Sequence, residues 1–312
     1  MRAIVTGGAG FLGDRVVRRL LEDGADRVAV VDLVPPRPDL AGDPRVETVV
    51  GDLAETVPAL VPADLVVHLA AVVSGAAERD FDLGMQVNLD ATRAVLERAR
   101  AWGTVPTLVF SSSLAVFGAD PWSPTPPVID DDTLPRPQSS YGIQKFIGEQ
   151  LVADYTRKGF VRGRTVRLMT VAVRPGAPNA AASSFVSGII REPIAGAEST
   201  CPVDPDLPIA LSSPRRTVDG IIAAATAGEE WGSRTAMNLP ALTTSPREMA
   251  AALDRVAGDG TSARIRWERD PAVEAIVGSW PARFRTDRAR ALGLGPETSF
   301  DDVVRAYLEG GA

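Results

Sequence analysis

Val5-Thr6-Gly7-Gly8-Ala9-Gly10-Phe11-Leu12-Gly13 is a glycine-rich stretch between a short apolar run, residues 3–5, and residues 11–21, whose apolar side chains recur with helical spacing. A strand, a tight turn and a helix start bring backbone N–H groups and the positive end of a helix dipole to one point, which suits a phosphate. Gly7 permits the turn, Gly10 lets the backbone approach a pyrophosphate, and Gly13 lets helix and strand pack closely. The spacing G-x-x-G-x-x-G differs from the usual dinucleotide fingerprint, so an ordinary strand–helix turn is the alternative interpretation.

An acidic residue at the end of the second apolar run favours the dinucleotide interpretation. Asp32 follows residues 28–31 and comes about twenty residues after Gly13. A carboxylate at this place accepts hydrogen bonds from the ribose 2′-OH of NAD and repels the 2′-phosphate of NADP. Leu33 and Val34 follow it, so no arginine stands directly beside it. The sequence therefore predicts NAD as the cofactor.

Strand-like and helix-like segments alternate along the first half of the chain. Apolar runs occur at residues 28–31, 46–50, 65–69, 107–110 and 166–171, and helical patterns occur at 11–22, 88–102 and 140–157. This alternation predicts the α/β class, with a Rossmann doubly wound parallel sheet and a smaller C-terminal substrate-binding lobe. We assign residues 1–174 to the NAD-binding domain, which also receives about 215–240, and residues 175–214 and 241–312 to the lobe.

Later segments predict further elements. Residues 184–190, 218–227 and 299–308 have helical patterns, and residues 236–239 and 263–267 read as strands. Ser245-Pro246-Arg247-Glu248 has the N-cap serine, the first-turn proline and the N3 glutamate of a helix start.

Composition excludes several functional classes. The net charge of −7 argues against a nucleic-acid partner. The longest apolar run, residues 65–73, is interrupted by His68 and is too short to span a membrane. One cysteine argues against an internal disulfide and a thiolate metal cluster, and one histidine argues against a histidine-based metal site or a Ser-His-Asp hydrolase. We expect a cytoplasmic protein without a signal peptide or membrane segment.

Polar or small residues follow the third and fourth apolar runs, where they would face the cofactor. Asp52 could accept a hydrogen bond from the adenine amino group or cap the next helix. Ala70 and Ala71 are small enough for a dinucleotide to lie against their backbone. Asn88 could brace the active site through the backbone or cap a helix. His68 is expected to be a core residue.

The strongest catalytic signal combines two segments. Ser111-Ser112-Ser113 ends an apolar run, and Tyr141 and Lys145 lie four residues apart, on one face of a predicted helix. An ammonium group beside the phenol and the positive nicotinamide ring would lower the pKa of Tyr141. Tyr141 could then accept the proton of a substrate hydroxyl, with Ser113 orienting that hydroxyl. By itself a Y-x-x-x-K pattern could also be two exposed side chains on the surface of a helix, which is the alternative interpretation.

Together these motifs resemble the extended short-chain dehydrogenases/reductases, also called the NAD-dependent epimerase/dehydratase family. The motifs are the glycine turn, Asp32, residues 68–71, residues 111–118 and residues 141–145. The resemblance implies a Ser113/Tyr141/Lys145 catalytic set and a homodimer. The predicted cofactor-binding residues are Gly7, Gly10, Phe11, Leu12, Gly13, Asp32, Asp52, Leu53, Leu69, Ala70, Ala71, Ser74, Asn88, Tyr141 and Lys145.

Residues 174–185, 188–193, 201–205 and 212–216 resemble a branch of this family that oxidises a small 2-hydroxy sugar acid. That resemblance implies oxidation of D-erythronate to 2-dehydro-D-erythronate with NAD+. A carboxylate needs a cation and the sugar hydroxyls need polar partners. The predicted substrate-binding residues are Ser113, Thr170, Arg174, Asn179, Ser183, Ser184, Arg191 and Arg215.

Two other functions remain open from the sequence. Arginine also suits the diphosphate of a nucleotide sugar, so a nucleotide-sugar 4-epimerase or dehydratase with retained NAD is the first alternative. A non-catalytic NAD-binding regulator is the second, although such a module would need no Ser/Tyr/Lys set.

Overall fold

The computed structural model describes residues 1–119, 122, 124–178 and 180–310. Its strands are β1 (Arg2–Thr6), β2 (Arg27–Asp32), β3 (Val46–Val50), β4 (Leu65–His68), β5 (Thr107–Ser113), β6 (Arg162–Leu168), β7 (Thr170–Val171), β8 (Ser199–Cys201), β9 (Ile209–Ser212), β10 (Met237–Asn238), β11 (Leu242–Thr244) and β12 (Ile265–Trp267).

The α-helices are α1 (Phe11–Glu22), α2 (Pro38–Ala41), α3 (Leu53–Thr56), α4 (Ser74–Arg79), α5 (Phe81–Gly84), α6 (Ala91–Trp102), α7 (Ser140–Arg157), α8 (Phe185–Ile194), α9 (Pro214–Thr226), α10 (Pro246–Ala257), α11 (Pro271–Gly278), α12 (Asp287–Ala291) and α13 (Phe300–Leu308). None of the helices in the described ranges is long and apolar enough to cross a membrane.

A seven-stranded sheet forms the centre of the molecule, in the order β10-β6-β5-β4-β1-β2-β3. Its neighbouring strands pair in parallel throughout. The chain turns to one side of β1 with β2 and to the other with β4, so a crevice opens at the carboxyl ends between them. This order confirms the predicted Rossmann α/β fold.

Alternating side chains on the strands feed two separate cores, as a doubly covered sheet requires. Ala3 and Val5 lie in one cluster with Val16 of α1 and Ile221 of α9. Ile4, between them, lies in the opposite cluster with residues of α6 and α7. α9 therefore returns to the central sheet after the chain has left it.

A third cluster lies among α8, α10 and α13 and two small sheets, β11-β9-β7 and β12-β8. The predicted helix starting at Ser245 is present, with its capping box complete. The division into two lobes stays a prediction, and Ala289 of α12, from the assigned lobe, packs into the same cluster as α1.

Two predicted element boundaries were wrong. Residues 166–171 do not form one strand, because pairing with β5 ends at Leu168 and Thr170 pairs with Leu211 in another sheet. An apolar run does not reveal which sheet each half joins. The helix predicted at 88–102 has no start at Asn88, because a π-helical turn, Met85–Asp90, leads directly into α6.

Candidate active site

A cavity of about 840 Å³ opens at the carboxyl ends of the parallel strands. It runs from the glycine turn past β2 and β4 to the end of β5 and the start of α7. Eighteen of the residues predicted from the sequence line it: Gly7, Gly10, Phe11, Leu12, Gly13, Asp32, Asp52, Leu53, Leu69, Ala70, Ala71, Ser74, Ser113, Tyr141, Lys145, Thr170, Arg174 and Ser183. The predicted cofactor and catalytic ends therefore share one cavity.

The glycine turn is as tight as the sequence requires. Gly7 has a φ of +69°, and a Cβ there would lie 2.7 Å from the backbone nitrogen of Ala70. A Cβ on Gly13 would lie 2.0 Å from the carbonyl oxygen of Gly7. Gly10 is the N-cap of α1 and offers no side-chain cap. First-turn N–H groups of a helix lack intrahelical partners, so this helix start can receive a pyrophosphate.

Gly13→Ala is expected to weaken NAD+ binding at least about tenfold and to lower the melting temperature, because its Cβ forces the turn away from α1. Calorimetric titration with NAD+ and thermal unfolding measure the two effects. Gly295→Ala is the matched control, since a Cβ at Gly295 meets nothing within 4 Å. Unchanged affinity in Gly13→Ala would place the pyrophosphate elsewhere.

Asp32 is held in place by the turn it faces. Its Oδ2 accepts from the backbone N–H of Ala9 at 3.0 Å and its Oδ1 accepts from Leu33 N–H at 2.7 Å. The carboxylate is thus fixed at the end of β2, beside the glycine turn. These residues fit a dinucleotide whose adenosine ribose lies against Asp32.

Two cofactor-side residues have roles that the sequence left open. Asp52 caps α3 by accepting from Ala54 N–H at 2.8 Å, and it also lines the cavity. Asn88 is buried outside the cavity lining and is not a helix cap. Its side chain accepts from Val72 N–H at 2.9 Å and donates to Val72 O at 3.0 Å. It therefore braces the loop after β4, and contact with the cofactor remains a prediction for Asp52.

His68 is a core residue, as expected. Its ring nitrogens bond the hydroxyls of Thr6 at 2.6 Å and Thr92 at 2.9 Å. Burial lowers its pKa to about 3, and the nearby Lys145 charge acts in the same direction. His68 is therefore neutral and takes no part in proton transfer.

Ser113, Tyr141 and Lys145 all line the cavity. Ser113 ends β5 and hydrogen-bonds the Tyr141 phenol. Lys145 Nζ donates to Ser111 O at 2.8 Å and lies 5.7 Å from the centre of the Tyr141 ring. Gly142 lets the start of α7 pack against the residues that follow β5, because a Cβ there would lie 2.1 Å from Ala115 O.

Burial is the largest influence on the pKa values of Tyr141 and Lys145. It raises the pKa of Tyr141 to about 12, opposed by the hydrogen bond with Ser113. It lowers the pKa of Lys145 to about 7, opposed by the charge of Glu149. In the protein alone, burial outweighs the hydrogen bond from Ser113, so a Tyr141 pKa lowered by Lys145 and the nicotinamide ring together stays a prediction. A positive nicotinamide ring beside the phenol acts in the required direction.

Arg174 is the predicted arginine that the structure brings to the cavity. Burial lowers its pKa, as does the charge of Arg191, and no carboxylate among the described residues opposes this. Arg191 itself donates to Arg174 O at 2.7 Å and to Glu192 at 2.6 Å. Arg191 thus supports the Arg174 backbone and lies outside the cavity lining.

The other predicted substrate residues divide into three groups. Thr170 and Ser183 line the cavity. Ser184 lies outside the lining at the start of α8, and Arg215 lines a separate cavity of about 240 Å³ at the start of α9. Asn179 lies outside the described residues.

Trp280 is a cavity residue that the sequence did not indicate. It follows α11 and comes from the C-terminal part of the chain, whereas every other lining residue has a number of 183 or lower. A tryptophan in a loop between short helices has no pattern that predicts its position. It packs against the cluster of Leu114, Met169 and Ala210.

A cavity that receives a dinucleotide at one end and presents a phenol and an ammonium at the other is suited to moving a hydride and a proton together. We therefore class the protein as an NAD-dependent oxidoreductase. The chain belongs to the NAD dependent epimerase/dehydratase family, whose model matches residues 3–204. The predictions of family, fold and NAD as cofactor are thereby confirmed.

Three similar proteins cover almost the whole chain. A protein of Cupriavidus necator named D-erythronate dehydrogenase is 49% identical over 99% of this chain and 98% of its own length. One of the same name from Haemophilus influenzae is 40% identical over 99% of both. A crystal structure described as a nucleoside-diphosphate-sugar epimerase from Agrobacterium tumefaciens is 37% identical with a TM-score of 0.91, covering 100% of this chain and 95% of that one.

Proposed function

We propose that this protein oxidises D-erythronate at C2 to 2-dehydro-D-erythronate, with release of NADH. The observation that carries the proposal is the position of Arg174 in the same cavity as Ser113, Tyr141 and Lys145. The similarity to two full-length proteins named D-erythronate dehydrogenase supports this substrate.

Each side chain then has one task. The Arg174 guanidinium binds the substrate carboxylate. Because the C2 hydroxyl is on the neighbouring carbon, this contact fixes the hydroxyl beside Ser113 and Tyr141. Ser113 hydrogen-bonds that hydroxyl, and the Tyr141 phenolate accepts its proton. Lys145 stabilises the phenolate and donates to the cofactor ribose. NAD+, when bound, supplies the acceptor for the C2 hydride.

The balance of the reaction is simple. The C2–H bond breaks and its electron pair leaves with the hydrogen as hydride, while the C2–O bond becomes a carbonyl as the hydroxyl proton goes to Tyr141. One D-erythronate and one NAD+ give one 2-oxo acid, one NADH and one proton.

Purified protein with NAD+ and D-erythronate is expected to form NADH, followed as absorbance, with a much weaker response when NADP+ replaces NAD+. Asp32 beside the ribose site is the reason for the cofactor preference. No NADH from any four-carbon aldonate would refute the substrate assignment.

The nucleotide-sugar alternative makes the opposite prediction in the same assay. An epimerase keeps its hydride on the bound cofactor and returns it to the sugar, so it interconverts UDP-sugars without net NADH. The similarity to the Agrobacterium tumefaciens structure is the observation that keeps this alternative. Chromatography of a UDP-sugar after incubation with the protein separates the two functions.

We also propose a cytoplasmic homodimer with a Rossmann domain at 1–174 plus about 215–240 and a substrate lobe at 175–214 and 241–312. Exposed apolar side chains on α5 and α7, such as Phe81 and Ile143, are available for contact with a second copy. Light scattering of the purified protein measures the oligomeric state.

A further inference from the structure

A buried ion pair lies directly behind the catalytic side chains. Glu149 is on α7, one turn after Lys145 and two turns after Tyr141. Its two carboxylate oxygens accept from Arg167 Nε at 2.9 Å and Nη2 at 2.7 Å. Only 2% of the Glu149 side chain and 5% of the Arg167 side chain are exposed.

The same carboxylate also bonds the strand that carries Ser113. Ser112 Oγ donates to Glu149 Oε1 at 2.5 Å. The three serines that end β5 therefore all meet α7: Ser111 through its carbonyl to Lys145, Ser112 through its hydroxyl to Glu149, and Ser113 through its hydroxyl to Tyr141. Glu149 thus fixes the helix that holds the base against the strand that orients the substrate.

Glu149 is also the anion that acts on Lys145. The groups around the Lys145 ammonium are Tyr141 and Glu149 on its own helix, Ser111 and the Phe110 ring on β5, and neutral His68 on β4. Arg167 of β6 pairs with Glu149. Within the described chain, Glu149 is the group whose charge favours the ammonium form of Lys145.

Stability alone does not explain a charged pair at this position. A buried ion pair loses so much hydration that apolar side chains of similar size often stabilise a fold equally well or better. A carboxylate there does what an apolar residue cannot, because it places negative charge one helical turn from the ammonium. The surroundings exclude water, which strengthens the effect of this charge on Lys145, while desolvation remains the larger effect.

We propose that Glu149 is a positioning residue that holds α7 in register with the serine end of β5 and places a negative charge one helical turn from the Lys145 amine. This inference rests on the proposed function only where it assigns Lys145 and Tyr141 a part in catalysis. The charge on Lys145 is a property of the protein that can be measured without turnover.

The test measures the protonation of Lys145 by competitive acetylation across a pH series, read by mass spectrometry. A neutral amine reacts and an ammonium does not. The chain has two lysines, Lys145 and Lys158, and exposed Lys158 serves as the internal standard. Lys145 lines the cavity, so a small acetylating reagent can reach it.

Glu149→Gln keeps the shape and an acceptor for Ser112 but removes the charge. We expect the half-reaction pH of Lys145 to fall by about one unit. The alkaline limb of kcat/KM should move in the same direction, since a Lys145 of lower pKa loses its proton at lower pH. Asp154→Asn is the matched control, because Asp154 is an exposed acid of α7 that pairs with Arg157.

Glu149→Gln leaves Arg167 buried without its anion and can destabilise the fold, so Glu149→Gln/Arg167→Met is the second variant. A folded double variant with a lowered Lys145 half-reaction pH supports the proposal even if the single variant does not fold. An unchanged half-reaction pH in Glu149→Gln, or a shift in the single variant that the double variant abolishes, overturns it. Absence of D-erythronate turnover in the wild type would refute the proposed function and leave this result standing.

Discussion

Tyr141→Phe is expected to lower kcat roughly 10²- to 10⁴-fold while NAD+ still binds, because the substitution removes the proton acceptor and little else. The Tyr141 oxygen hydrogen-bonds Ser113, and the ring lies beside Lys145. Phenylalanine keeps the ring and its packing. Initial rates of NADH formation and calorimetric titration with NAD+ measure the two properties separately.

Tyr155→Phe is the matched control for this loss. The Tyr155 hydroxyl bonds Glu97 of α6, and Tyr155 is not among the residues that line the cavity. The Tyr155→Phe variant should therefore have a normal kcat. Near-normal kcat in Tyr141→Phe would remove Tyr141 from proton transfer, and equal losses in both variants would indicate damage to α7 rather than to the chemistry.

The large effect expected at Tyr141 follows from its burial. A phenol whose pKa is raised to about 12 is a poor base at neutral pH until positive charge is placed near it. Lys145 has its own pKa lowered to about 7, so it too needs support to stay charged. The positive nicotinamide ring, when bound, would favour the Tyr141 phenolate, and the charge of Glu149 favours the ammonium form of Lys145.

Much of this site could be predicted because it depends on local rules. A glycine turn after a buried strand, an acid at the next strand end and residues four apart on a helix each determine position within a few residues. The close approaches at Gly7 and Gly13 confirm the turn. The alternation of strands and helices was sufficient for the central sheet.

The features that escaped prediction depend on contacts between distant segments. For Asn88 the sequence left bracing and capping open, and only its contact with Val72, made from a π-helical turn that has no sequence pattern, decides between them. Arg167 reads as a charge in a strand, although it is buried against Glu149. Trp280 reaches the cavity from a loop far along the chain. Pairings of this kind follow from the completed fold and not from spacing.

The arginines of the second half also show that positions set by contacts between distant segments cannot be predicted from spacing. The sequence predicted three arginines in the second half, Arg174, Arg191 and Arg215, as substrate-binding residues without choosing among them for the carboxylate, and the fold separates them. Arg174 faces the cavity, Arg191 supports the Arg174 backbone, and Arg215 and Arg216 line the smaller cavity at the start of α9. Only a side chain in the cavity of Tyr141 can hold a carboxylate next to the carbon that is oxidised.

Arg174→Met is therefore expected to lower kcat/KM for D-erythronate about 10²-fold or more, mainly through KM, with the affinity for NAD+ unchanged. Loss of a desolvated guanidinium–carboxylate contact costs about 3 kcal/mol, which corresponds to this factor. Methionine retains much of the stem and its packing. The kcat/KM of Arg174→Lys should fall between those of the unaltered protein and Arg174→Met, since an ammonium keeps the charge but loses the bidentate geometry.

Arg215→Met is the control for this experiment, because it removes an arginine that lines the other cavity. Its KM for D-erythronate should equal that of the unaltered protein. The reverse pattern, a normal KM in Arg174→Met and a raised one in Arg215→Met, would place the carboxylate at the start of α9. That position would separate the acid from Tyr141 and would contradict oxidation at the carbon next to the carboxylate.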